Sequence, residues 1–299
     1  MSTTRHGVLA GITTSVIVGG SVPVTALLDA YPLLTGQALR YGLGGLLLLA
    51  FARLTGRRLP RPRLSDVPAL VALAATGMIG FQAFLLLAQR HAEPGLVAAL
   101  LGGSPLVLAI AGPLLARKRP SATPLVGAVL AVAGVAVLSG GGSGSAAGLL
   151  LAVLAMLAEA AFTLLAVGLI ERLGPLATAT WSCFTAAIGG AAVGSFAGGW
   201  RVPDATELTA LLVLAVLVTA VAFVVWYFAV GTLGADRAGV LIGIMPVSGL
   251  VVALLLGRQS LELTDLAGVA LVSLGVVVGL TSRRVPSAAR PEPRPAELR

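Results

Sequence analysis

The chain is one sequence written twice. Pro105 and Pro246 lie 141 residues apart, and the same offset relates Gly102 to Gly243, Arg117 to Arg258, Gly127 to Gly268, Gly134 to Gly275 and Gly7 to Gly148. The copies align without a gap, so each half should fold as the same bundle. Each half holds five apolar segments of membrane-spanning length. Five is odd, so the second copy should enter the bilayer from the opposite side. The expected fold is therefore an all-α polytopic membrane protein, with ten transmembrane helices arranged as two inverted five-helix repeats.

Composition supports a membrane reading. Apolar residues make up 57% of the chain and charged residues 11%, against about 25% charged in soluble domains. Mean hydropathy is +1.00. A helix needs about 20 apolar residues to span the hydrocarbon. Ten spans take up roughly 200 residues, and the 299 available leave only short loops and a tail. The predicted spans cover 7–29, 33–53, 67–88, 95–116 and 122–139, then 147–170, 176–198, 208–230, 238–257 and 264–281. The domain reading follows: an N-terminal segment 1–6, a first repeat 7–139, a flexible linker 140–146, a second repeat 147–281 and a disordered basic tail 282–299. The linker region reads SGGGSGS from Ser139 to Ser145 and lacks the Lys-Ser/Thr ending of a phosphate loop. Met1–Arg5 and the apolar run after it could pass for a signal peptide. The run is long and Gly7 recurs at Gly148, so it reads as a retained first helix.

The net charge of +8 lies between the apolar segments, which indicates topology and not a nucleic-acid partner. Arg5, Arg53, Arg57, Arg58, Arg61, Arg63, Arg117, Lys118, Arg119, Arg172, Arg237 and the five arginines of the tail fall on one side. Arg90, Arg201 and Arg258 fall on the other, a ratio of sixteen to three, with Arg40 inside a span. Basic residues collect on the cytoplasmic side. The expectation is a multi-pass cell-membrane protein with both termini cytoplasmic.

Ionisable groups inside a bilayer persist mainly where they face a cavity or a partner. Arg40, in the second span, and Glu159, in the sixth, are the two clear cases. Glu159 lies about eleven residues from the outer end of its span, roughly 17 Å deep and close to the midplane. It can bind substrate or exchange protons, or it can serve as a structural partner for Arg40 or a hydroxyl. Arg40 can capture an anionic substrate group, or form a buried pair. Asp29, at the end of the first span, should meet water. Gln37, Tyr41, Gln82, Trp181, Trp226 and Tyr227 are candidates to line a cavity, although Trp and Tyr also serve as interfacial anchors. Pro105 and Pro246 fall within spans, where proline loosens a helix. They are candidate kinks or gates, because matched interruptions in inverted repeats mark a substrate region. Glycines at spacing four (Gly190, Gly194 and Gly198; Gly275 and Gly279) allow close helix approach.

No catalytic or metal constellation is present. His6 and His91 are the only histidines and face opposite sides in this topology, and Cys183 is a lone cysteine. No enzyme activity, cofactor or metal is expected.

The pattern resembles the drug/metabolite transporter superfamily, in its ten-helix EamA-like exporter branch. The likeness rests on QALRYGLGGLLLLAF with Arg40, on the approaches to mid-helix proline in GLVAALLGGSPLV and AGVLIGIMPVS, and on the glycines of PLVGAVLAVAGVAVL and DLAGVALVSLGVVV. It covers about Gly7 to Thr281. It departs from the family in two places: Arg117 and Arg258 stand where the family often has Glu, and the second copy has no arginine matching Arg40. The resemblance implies that helices 1–4 and 6–9 surround a path braced by helices 5 and 10. The implied function is export of a small metabolite such as an amino acid by alternating access, with possible proton coupling at Glu159. A multidrug exporter of lipophilic cations is the alternative. A non-transporting membrane sensor or assembly partner is the reading from another class. The expected partners are a small-molecule substrate and the lipid bilayer, with monomer and homodimer both open.

Overall fold

The computed structural model describes residues 2–28, 30–140, 142–197, 199–257 and 260–281. The expectations for Asp29, Gly198, Arg258 and the tail 282–299 lie outside the described residues. The first half runs through α1 (Ser2–Gly20), α2 (Val22–Ala26), α3 (Leu33–Leu54), α4 (Val67–Ala72), α5 (Phe81–His91), α6 (Pro94–Leu101), α7 (Ser104–Leu115) and α8 (Ala122–Leu138). The second runs through α9 (Ala146–Ala197), α10 (Ala205–Val213), α11 (Ala222–Leu233), α12 (Ala235–Val240), α13 (Ile244–Leu255) and α14 (Leu263–Leu280). Among the described residues, the only extended pairing is an isolated bridge between Ala92 and Gly144.

Among the described residues, eight helical stretches are long and apolar enough to cross a membrane, and Ala122–Leu138 is a shorter apolar helix. One of the eight, Ala146–Phe196, is 51 residues long. It is broken at Gly174, whose φ of 80° and ψ of 165° suit only glycine. Pro175 follows and cannot donate back across the break. Large apolar side chains such as Leu46, Val126, Ile188 and Val277 face outward and are exposed. Such a surface belongs in hydrocarbon, not water.

Two departures from α-helix recur at the repeat offset. Leu73–Gly80 joins α4 to α5 and Leu214–Val221 joins α10 to α11, and both are π-helical. Their ends are 141 residues apart although their sequences, LAATGMIG and LAVLVTAV, share little. The prolines mark a second matched pair. The chain turns at Gly102–Gly103, so Pro105 enters the first turn of α7; a 3₁₀ turn at Leu241–Gly243 precedes α13, with Pro246 in its first turn. A first-turn proline loses no helical hydrogen bond.

The halves exchange their first helices. α1 packs on α11 and α13, and α9 packs on α4 and α5. The repeated glycine explains how they approach. A Cβ on Gly7 would lie 2.9 Å from Thr232 Cγ2, and one on Gly148 would lie 2.7 Å from the His91 carbonyl oxygen. Thr232 and His91 are themselves 141 residues apart. α8 and α14 lie along each other, so close that a Cβ on Gly127 would fall 2.5 Å from Gly279 Cα. Ser143 and Ser145 of the linker region are hydrogen-bonded to the end of α5 and the loop after it. Glu93 N donates to Ser143 O at 2.9 Å, Ser145 N donates to His91 O at 3.0 Å, and the Ser143 hydroxyl donates to Glu93 Oε1 at 2.7 Å.

Candidate functional site

Two neighbours on α3 reach the two π-helical stretches. Arg40 Nε donates to Thr219 Oγ1 at 2.9 Å, in the second half. The Tyr41 hydroxyl donates to the Met78 carbonyl at 3.5 Å, in the first half. Met78 and Thr219 occupy equivalent positions of the repeat, 141 residues apart. Arg40 is only 5% exposed, and its guanidinium lies 5.3 Å from the Tyr41 ring centroid. A π turn widens the helix and often marks a functional position. Here it presents a hydroxyl and a carbonyl to one pair of side chains.

Aromatic rings fill the space beside this pair. Phe162 of α9 lies 4.9 Å from Phe223 and 5.3 Å from Tyr227 of α11, and Tyr41 lies 6.2 Å from Phe223. Gly77 lets the first π stretch touch α9 here, because a Cβ would fall 2.6 Å from Phe162 Cα. Trp226 Nε1 donates to Thr163 Oγ1 at 3.1 Å. Gln37 Oε1 is buried without a hydrogen-bond partner among the described residues, and the buried Tyr227 hydroxyl lies beside the Ser182 side chain without a well-aligned hydrogen bond.

Glu159 lies one turn before Phe162 on α9 and is partly buried. The group beside its carboxyl is the buried hydroxyl of Ser104, at the start of α7, which makes no well-aligned hydrogen bond. Glu159 and Arg40 form no ion pair among the described residues. Each has its own polar neighbour, so the buried-pair reading of the two is set aside. Gln82 is partly buried on α5. Trp181 stands apart from the cluster, and its Nε1 donates to the Pro60 carbonyl at 2.9 Å, at the arginine-rich end of the bundle.

Both ends of the bundle carry a tie that the residue-by-residue sequence reading missed. At the arginine-rich end, Asp66 is 1% exposed and ion-paired with Arg172 of the other half. It also accepts from Arg63 N at 2.9 Å. At the opposite end, Glu207 is 5% exposed, ion-paired with Arg201, and accepts from Asp204 N at 2.9 Å. Arg201 lies 4.5 Å from the Tyr31 ring centroid, and the Tyr31 hydroxyl donates to Arg201 O at 2.7 Å, which links the halves. Glu207 keeps Arg201 protonated above its ordinary range, while burial pushes the Tyr31 hydroxyl up. Asp66 and Glu207 are 141 residues apart, as are Tyr31 and Arg172. The available signal was an acid three residues after a turn, ahead of an apolar run, at the repeat offset.

The two ends differ in one respect. At the arginine-rich end α7 packs tightly on α12, and a Cβ on Gly239 would lie 2.8 Å from Leu108 Cβ. Arg237 Nη2 donates to Leu280 O at 2.7 Å in the same region. The repeat offset maps Leu108 onto Gly249, Gly239 onto Ala98 and Leu280 onto Ser139. Those counterparts are separated by a cleft of about 260 Å³, lined by Gly95, Ala98, Leu138, Ser139, Pro246 and Gly249 among others. The same contact is made at one end and open at the other.

A bundle of apolar helices in two halves, with a buried polar and aromatic centre between them, defines a multi-pass membrane transporter. The EamA-like transporter family matches residues 5–140 and again 146–281, and the chain belongs to that family. It is similar to the uncharacterized transporter YetK of Bacillus subtilis (strain 168), at 26% identity over 283 residues, covering 91% of this chain and 86% of that one. It is also similar to an uncharacterized transporter of Archaeoglobus fulgidus, at 24% identity over 243 residues, covering 79% of this chain and 84% of that one. A solved crystal structure superposes with a TM-score of 0.79 at 23% identity, covering 94% of this chain and 99% of that chain, and shares the fold.

Proposed function

We propose that the chain is a secondary transporter that exports a small metabolite, such as an amino acid, by alternating access. The observation that carries this reading is the helix contact made at the arginine-rich end and open at equivalent residues of the other. An inverted repeat moves between its two states by exchanging the conformations of its halves. In the second state Gly249 seats on Ala98, the cleft closes and the Gly239–Leu108 contact parts. Ten crossings in two inverted copies fit the helices once Ala146–Phe196 is divided at Gly174 and Ala122–Leu138 is counted. The repeats are 7–139 and 147–281, and the arginine-rich end faces the cytoplasm of a cell membrane.

Arg40, Tyr41, Phe162, Thr219, Phe223 and Tyr227 form the floor of the path. Glu159, one turn nearer the open end, exchanges a proton or binds the cargo. Replacing it with Gln in proteoliposomes should abolish pH-driven flux and leave gradient-driven flux intact. Equal loss of both removes the coupling role. A second reading, export of lipophilic cations, is favoured by the aromatic rings clustered beyond Glu159, since ring faces attract cations. Competition between protons and a cationic dye for the site supports it; indifference of dye binding to pH argues for the metabolite.

A further inference from the structure

A pocket of about 220 Å³ opens at the arginine-rich end and is lined by Pro60, Arg61, Arg63, Asp66, Arg172 and Leu173. Its walls come from both halves. Three arginines against one aspartate leave the lining at net +2. Asp66 is already paired with Arg172. Among the described residues, the guanidinium groups of Arg61 and Arg63 have no hydrogen-bond or ion-pair partner. Guanidinium groups grouped around a concavity suit the oxygens of a phosphate, which two of them can hold by paired hydrogen bonds.

The rim tells which phosphate. Leu64, Val67 and Val71 follow one another at helical spacing along the start of the span Leu64–His91, and are 90%, 44% and 50% exposed. This exposed apolar stripe starts at Leu64, in sequence between the pocket residues Arg63 and Asp66. A molecule with a phosphate in the pocket and hydrocarbon on the stripe is a phospholipid, and the net +2 lining favours one whose headgroup carries no cation of its own to balance the phosphate, an anionic phospholipid, as basic pockets between membrane helices do. We propose that this pocket binds the phosphodiester of an anionic phospholipid, with Arg61 and Arg63 as its direct ligands and Arg172 completing the wall. Because Arg172 and Leu173 belong to the other half, a bound headgroup bridges the two halves at their closed end. The inference rests on the membrane placement and not on the choice of cargo or coupling.

The test uses the full chain in nanodiscs of phosphatidylcholine, with and without phosphatidylglycerol, and in detergent with sodium phosphate. Phosphatidylglycerol should raise the melting temperature by a few degrees, on the order of what one added bound contact gives a domain of this size. R61Q/R63Q should lose that increment and keep the phosphatidylcholine value. R57Q/R58Q removes equal charge from the same loop outside the pocket and should keep the increment. Sodium phosphate reproducing the whole shift supports the phosphate pocket but moves its source to solution. Equal loss in both double variants, or no loss in R61Q/R63Q, overturns the site.

Discussion

Replacing Gly239 with Ala tests whether the contact between α7 and α12 belongs to one state only. The new Cβ would stand 2.8 Å from both Cβ and Cδ1 of Leu108, a side chain with no exposed surface. Overpacking of this kind costs about 1–3 kcal/mol. The penalty falls only on the state in which the contact is made. The helix-propensity gain of alanine is common to both states and cancels. A differential of that size shifts a two-state equilibrium roughly 5- to 150-fold towards the state open at the arginine-rich end. Ala98, the counterpart of Gly239, lines the open cleft. Ala98→Leu should fit there and clash only when the cleft closes, which drives the equilibrium the other way. Cys183 is the only cysteine and is fully buried, so a C183S background accepts single reporters. Reporters at Ala235→Cys, in the made contact, and Ala253→Cys, in the cleft, would be labelled with a membrane-impermeant maleimide. Gly239→Ala should speed labelling at the first and slow it at the second, and Ala98→Leu should do the reverse. Both substitutions moving the reporters in the same direction would refute the exchange of contacts.

Three further outcomes are expected. Asp66→Asn weakens a charge-assisted tie between the halves, of the order of 1–3 kcal/mol, and should lower the melting temperature and raise labelling at the arginine-rich end; Glu207→Gln should instead loosen the opposite end. Gly127→Val drives a side chain into Gly279, 2.5 Å from where its Cβ would sit, and should destabilise the chain by roughly 3 kcal/mol or more, read as lost monodisperse protein on size exclusion. The Ser143 hydroxyl and backbone hold the Glu93 carboxyl below its ordinary 4.5. The folded value is depressed, so the tie between linker and loop is complete above the ordinary pKa and is lost as pH falls through the lowered one. Hydrogen-exchange protection at the Glu93 and Ser145 amides, taken relative to the intrinsic rate at each pH, should therefore be high at neutral pH and fall in acid, and Ser143→Ala should start the fall at higher pH.

Much of the architecture was readable in order along the chain. Apolar length marked the membrane helices because hydrocarbon demands that every backbone group be satisfied within its own helix. The 141-residue offset marked the duplication, and glycine and proline marked its interruptions because those residues are chosen by backbone geometry. Arg40 and Glu159 stood out because a charge in an apolar span is costly wherever it sits. What each of them touches was not readable. Arg40 meets Thr219 and Glu159 meets Ser104 because the halves interleave, and no local pattern encodes which helix of one copy lies against which of the other. The ties at Asp66 and Glu207 looked like ordinary helix starts until folding brought Arg172 and Tyr31 across from the other copy. Least readable was the difference between the ends. The shared offset makes the two ends look equivalent although their residues differ, as Leu108 and Gly249 or Gly239 and Ala98 do, and only the packed structure decides that Gly239 meets Leu108 while Ala98 and Gly249 stay apart.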